Sequence, residues 1–132
     1  MTGDRERLVV VDGANVVGSV PDGWWRDRAG AAGRLRDALA GGALEGEIVL
    51  VVEGAARAVS GVTGVRVVSA PGSGDDTIVE LVSDAVSGRA VIVVTADRLL
   101  SERVRKLGAR IMGPGQARDA IGYGTGPRGG TG

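Results

Sequence analysis

Three segments of the chain are almost unbroken runs of aliphatic, largely β-branched residues: "RLVVVDG" (7–13), "EIVLVVEG" (47–54) and "AVIVVTAD" (90–97). A strand with one face in water alternates apolar and polar positions, whereas a strand covered on both faces stays apolar throughout. The three runs therefore predict interior strands of a parallel sheet. "VRVVSA" (65–70) and "ARIMG" (109–113) predict two shorter strands beside them.

Between these runs the apolar spacing becomes helical. In "WWRDRAGAAGRLRDALAGG" the positions Trp25, Ala29, Ala32, Leu35 and Leu39 form one stripe, and Gly41-Gly42 supplies a stop. "GSGDDTIVELVSDAVSG" predicts a loop feeding a helix, with Ser73 or Asp75 as cap, Ile78, Leu81, Val82 and Val86 inward, and Gly88 at the end. "DRLLSERVRKLGA" repeats the scheme, with Leu99, Leu100, Val104 and Leu107 inward and Arg98, Arg103, Arg105 and Lys106 mostly outward. "GPGQARDAIG" ends in a helical turn. Its "GPGQ" (113–116) lacks the Lys-Ser/Thr pair of a phosphate loop and reads as a turn.

Strands alternating with helices give an α/β domain: a three-layer α/β/α sandwich around a mostly parallel sheet of four or five strands. Residues 1–121 form this single domain. Residues 122–132 are too rich in glycine to order themselves and are expected to be a flexible tail.

Composition removes several chemistries. The 132 residues include no histidine and no cysteine, which excludes the usual zinc, haem and iron–sulfur ligand sets and the Ser-His-Asp and Cys-His nucleophiles. Catalysis has to rest on carboxylates, amides, hydroxyls and arginines. No apolar run approaches the ~20 residues of a membrane span, and "MTGDRERLVV" lacks the pattern of a secretory signal, so a cytoplasmic location is expected.

The long strands each lead into an acid: Asp12, Glu53 and Asp97. In open parallel sheets the carboxyl ends of the strands border one crevice, so these acids converge. Asp75 and Asp76, at the start of a helix, can face the same place. Carboxylates gathered this closely either take up protons or hold cations, and oxygen-only ligation suits Mg²⁺ or Mn²⁺. The chemistry implied is metal-assisted attack of water on a phosphodiester. The first strand then acts as a rod that delivers Asp12 to the crevice, and Asn15 in the following "GAN" turn can orient Asp12, a water or a phosphate.

The net charge of zero argues against a nucleic-acid partner only at first sight. If Asp12, Asp75, Asp76 and Asp97 are gathered in one metal-filled site, twelve acidic side chains elsewhere face sixteen basic ones. All of the basic ones but Lys106 are arginine.

"VVVDGANVVGS", "GSGDDTIVELV" and "VIVVTADRLLSERV", in this order, resemble the NYN branch of the PIN-like nucleases over residues 7 to 121. The resemblance implies a Rossmann-like α/β/α sandwich and divalent-metal hydrolysis of RNA. It makes Asp12 the acid ending the first strand and Asn15 its partner in the "DGxN" signature. Asp75 and Asp76 match the acidic pair before the central helix, and Asp97 matches the acid of a "(T/S)xD" element with Thr95 beside it. The expected metal ligands are Asp12, Asp76 and Asp97, with Asp75 in support. Asn15 and Thr95 would position water or phosphate. Relatives often carry Asp where this chain has Glu53, and PIN-like domains often pair as homodimers.

Each feature has a plainer explanation. Asp12 and Asp97 could merely cap helices, one of Asp75 and Asp76 could do the same, and Glu80 could face the site or solvent. Trp24 is the candidate for stacking a base, with Trp25 assigned to packing. Arg26, Arg28 and Arg57 could neutralise RNA phosphates or line a solvated face. Two other functions compete: a phosphohydrolase acting on free nucleotides, and a non-catalytic module binding RNA or protein. A haloacid-dehalogenase-type phosphatase is disfavoured because its nucleophile motif needs an acid where Ala14 stands.

Overall fold

The computed structural model describes residues 6–124. In chain order the elements are β1 (Leu8–Asp12), α1 (Gly13–Gly18), a 3-10 turn (Trp24–Arg26), α2 (Arg28–Gly41), β2 (Glu47–Val52), a second 3-10 turn (Gly54–Ala58), β3 (Val65–Ser69), α3 (Gly74–Ala85), β4 (Val91–Val94), α4 (Arg98–Lys106), β5 (Arg110–Met112) and α5 (Pro114–Ile121). The five strands form one sheet in the order β3-β2-β1-β4-β5, and every neighbouring pair is parallel. The fold is α/β.

The aliphatic runs are continuous because both faces of the sheet are covered. Val9, Val11, Leu50 and Val52 pack with residues of α1, α2 and α5. Val10, Val49, Val51 and Val93 pack on the opposite side with Ile78 and Val82 of α3 and Leu100 and Val104 of α4. Alternate residues of a strand thus serve two cores, the pleat separating them.

Several details depart from the reading by pattern. The "GAN" turn is the start of a short helix, α1, for which Asp12 is the cap. "GPGQ" opens α5, with Pro114 in the first turn, where its missing N–H costs nothing. Leu99 is exposed (72%) because α4 buries Leu100, Ser101 and Val104, whereas Leu99 shares the opposite face with Glu102 and Arg103. The two tryptophans exchange roles: Trp25 is exposed (54%) and Trp24 lies half-buried against the first core. They precede α2 in a separate turn, so the helical stripe that claimed Trp25 does not reach it. Tyr123, assigned by composition to the tail, is buried in the same core, and its hydroxyl donates to the Ala31 carbonyl at 3.5 Å. The rest of the expected tail, 125–132, lies outside the described residues. Among the described residues no helix is long and apolar enough to cross a membrane.

Candidate active site

The strand order reverses at β1 and β4: from β1 the chain builds outward through β2 and β3, then returns to place β4 on the other side of β1. At such a point the loops leaving two neighbouring strands part in opposite directions and open a crevice at the carboxyl edge. Asp12 ends β1, and Thr95, Ala96 and Asp97 join β4 to α4, so both sets of residues border this crevice.

A hydrogen-bond network ties the two loops together. Asp12 is 6% exposed. Its Oδ1 accepts from the Asn15 backbone N–H at 3.3 Å, and its Oδ2 accepts from the Thr95 hydroxyl at 2.9 Å. Thr95 Oγ1 in turn accepts from the Asp97 N–H at 3.1 Å. Asn15 Oδ1 accepts from the Ala96 N–H at 2.8 Å. Two side chains from the β1 loop thus engage the β4 loop, which fixes the gap between them. Thr95 is 1% exposed with its hydroxyl engaged at both ends, so it supports Asp12 rather than facing a substrate as expected.

Gly13 explains the close passage of the chain after Asp12. A Cβ there would stand 2.6 Å from the Val51 carbonyl oxygen of β2, a distance that no side chain can occupy.

The remaining acids divide into groups. Asp75, half-buried at the start of α3, faces the crevice: burial raises its pKa, and the charges of Asp97 and Glu53 raise it further. Asp76 is exposed and pairs with Arg103 at 3.2 Å, away from Asp12. Of the two acids expected at the site, Asp75 is thus the one whose charge acts on Asp12, while Asp76, expected as the ligand, turns to Arg103. Successive residues of a helix point about 100° apart, so only one of the pair can face the sheet edge. Asp97 caps α4, its Oδ1 accepting from the Leu100 N–H at 2.9 Å, while Oδ2 makes no hydrogen bond among the described residues. Glu53 Oε2 accepts from the Gly74 N–H at 3.3 Å, and Ser73 caps α3 through the Asp75 N–H. Glu80 is exposed and is not among the charges that shift Asp12 or Asp75.

Burial pushes the Asp12 carboxyl up to about 6; the hydrogen bonds from Thr95 and Asn15 oppose the rise, and the charges of Asp75 and Glu53 add to it. A buried carboxylate with acidic neighbours is poised to accept a proton or a cation near neutral pH. Among the described residues no group of three or more acidic side chains stands close enough to hold a metal ion directly.

The basic and aromatic candidates lie on the β2 side. Arg28, at the start of α2, lays its guanidinium over the Trp24 ring at 5.3 Å, and Arg26 lies over Trp25 at 5.7 Å. Arg57 donates to the Gly54 carbonyl from the turn after β2. All three arginines are exposed.

No protein-family model matches the sequence, and no curated protein matches it. The fold is similar to that of Rae1 (YacP) from Bacillus subtilis. The crystal structure of that protein superposes with a TM-score of 0.63, covering 87% of this chain and 74% of Rae1 at 16% identity. At that identity the likeness establishes a shared architecture, and the chemistry has to be argued from the site.

Sequence reasoning missed the bond from Ala96 to Asn15, because a backbone donor leaves no mark in side-chain identity. It also missed the closeness of Gly13 to β2. The glycine itself was the available signal, since it follows directly on a buried strand.

Proposed function

We propose that the chain is a divalent-metal-dependent ribonuclease that hydrolyses RNA phosphodiester bonds at the carboxyl edge of its sheet. The observation that carries the reading is Asp12: a buried acid at the topological switch point, pushed up to about 6 by burial and by its acidic neighbours. Two further facts support it. The ordered motifs resemble those of the NYN branch of PIN-like nucleases, and the fold is similar to that of Rae1.

The donor set fits a hard, well-hydrated ion. With oxygen ligands only and no group of three acids ready to enclose a metal, the site suits an ion that binds through one or two carboxylates and keeps several waters. Mg²⁺ and Mn²⁺ bind in this way, completing their shells with substrate phosphate oxygens. Asp12 and Asp75 would hold the ion directly, with the free oxygen of Asp97 meeting one of its waters, while Asp76 remains with Arg103. When bound, such an ion lowers the pKa of a water and offsets charge developing on the phosphate. Thr95 and Asn15 keep Asp12 and the two loops in register, so the carboxylate is aimed before substrate arrives. The exposed guanidinium groups of Arg26, Arg28 and Arg57 neutralise the RNA backbone.

The test is cleavage of a labelled single-stranded RNA, with a matched DNA and a nucleoside triphosphate as controls, in Mn²⁺, Mg²⁺ and EDTA. The wild-type chain is expected to cut RNA only with metal, and Asp12→Asn to lose about 100-fold or more of that rate. Consumption of the triphosphate alone would make the protein a nucleotide phosphohydrolase. Binding of RNA without cutting under any condition would make it a non-catalytic module.

A further inference from the structure

The helix α4 carries a charged face that the proposed chemistry does not use. From Arg98 to Arg110 the chain has five basic residues and one acid, Glu102. Arg98, Arg105 and Lys106 are exposed and make neither an ion pair nor a hydrogen bond among the described residues. Outside α4 only Arg34 and Arg110 share that condition. Every other arginine among the described residues has an acid, a carbonyl oxygen or an aromatic ring as its partner. Arg110 points to the opposite face of the sheet, the one on which Met112 packs. With successive residues about 100° apart, Arg98, Glu102, Arg105 and Lys106 fall within about 100° of one another and share one face of α4. Arg103, which pairs with Asp76 of α3, lies about 140° round from Arg98 and about 160° from Arg105. Those two therefore point away from the acids of α3.

We infer that this face of α4 holds the sugar-phosphate backbone of the RNA strand beyond the crevice; the inference takes its substrate from the nuclease reading. Arg98 directly follows Asp97, the cap of α4 at the crevice, and Arg105 lies two turns further along, about 10 Å away. The cations thus begin at the site and lead away from it down one flank of the molecule. Helix stability accounts for only part of the pattern. Arg105 and Lys106, in the last turn, complement the negative end of the helix, but Arg98 stands at the positive end, where a cation is unfavourable. A guanidinium fork matches phosphate oxygens, and a phosphate contact reads no base, so binding here is independent of sequence. An acidic peptide could meet the same cations. RNA is favoured because the face starts at an acid of the proposed active site, so a strand seated in the crevice reaches Arg98 without a break. Glu102, central on the face, opposes a phosphate and limits the affinity.

The test is binding of a short labelled single-stranded RNA, read by fluorescence anisotropy in EDTA over a range of salt concentrations. Each phosphate neutralised on a single strand contributes about 0.7 to the slope of log K against log salt. Arg98→Gln/Arg105→Gln/Lys106→Gln should therefore flatten the slope by about 2 and weaken binding about tenfold or more at low salt, with the melting temperature retained. Glu102→Gln should tighten binding, by roughly threefold. Arg34→Gln/Arg66→Gln/Arg110→Gln removes the same charge from exposed positions elsewhere and should leave the slope within about 0.5 of wild type. Equal flattening by the two triple variants would reduce the effect to net charge and overturn the inference. An unchanged slope in the α4 variant, or no binding by the wild type, would overturn it as well. Displacement of the RNA by polyglutamate as readily as by unlabelled RNA would assign the face to an acidic protein segment instead. Metal-dependent cutting by a wild type whose binding ignores the α4 charges would keep the nuclease reading and remove this face from it. Charge-dependent binding by a protein that cuts no RNA would sink the nuclease reading and leave α4 as an RNA-binding surface.

Discussion

At the scale of the residue, Asp12 carries a cost that the rest of the fold has to absorb. Its carboxyl ionises near 3.8 in the unfolded chain and near 6 in the folded one. The folded form binds that proton more tightly, so this contribution to stability is fully present below about pH 4, declines between pH 4 and 6, and is absent above. The span corresponds to about 3 kcal/mol. Asp12→Asn keeps an oxygen for the Asn15 N–H and removes the titration. In EDTA it should therefore be the more stable protein at pH 7.5, by up to about 3 kcal/mol, with the advantage gone at pH 4; urea unfolding at the two values measures this. An unchanged difference across that range would mean that Asp12 does not titrate as its burial demands. Thr95→Val acts in the other direction. It leaves the Asp97 N–H without its acceptor and costs about 1–3 kcal/mol. It also withdraws the donor that most lowers the Asp12 pKa, so the acidic limb of the pH–rate profile should move to higher pH.

At the scale of the element, two of the helices that begin at the crevice, α1 and α4, are capped by acids proposed to act at the metal site. Asp97 is the cap of α4, and capping needs only an oxygen acceptor, whereas ligation needs charge. Asp97→Ser should keep stability within a few tenths of a kcal/mol while lowering RNA cleavage, and Asp97→Ala should in addition lose about 1 kcal/mol. If Asp97→Ser cleaved at the wild-type rate, the cap would be its whole role. Gly13→Ala tests the seat of α1: a methyl group 2.6 Å from the Val51 carbonyl oxygen forces the helix away from β2, at about 1–3 kcal/mol in the urea midpoint. These elements differ in how legible they were. The strands β1, β2 and β4 were evident from their aliphatic runs, because burial on both faces leaves an unmistakable composition. The helix α1 was not, since six residues of "GANVVG" carry less than two turns of period and its cap had already been read as a ligand. Within the site, convergence of Asp12 and Asp97 followed from strand ends alone. The pairing of Asp76 with Arg103, twenty-seven residues downstream, was not legible, since the position of Arg103 depends on how α4 packs on α3.

At the scale of the whole molecule, a net charge of zero conceals an uneven distribution. Asp12, Asp75, Asp97 and Glu53 gather at one edge of the sheet, and Arg28 lines a cavity together with Gly13 and Glu53. The acids repel one another across the crevice, so a cation entering it relieves strain present in the folded state alone. Ligands that bind only the folded form stabilise it, by about 2.7 kcal/mol at a hundredfold excess over the dissociation constant. Mg²⁺ or Mn²⁺ should accordingly raise the melting temperature, and Asp12→Asn should remove most of the rise. The pH dependence adds a second signature. At pH 6 about half of the Asp12 carboxyls are protonated, so ion binding should expel about half a proton from this residue, whereas at pH 7.5 it should expel almost none. Calorimetric titration in two buffers of different ionisation enthalpy measures that number. A metal-induced rise in melting temperature with no proton released at pH 6 would place the ion away from Asp12, and no rise at all would remove the metal from the mechanism.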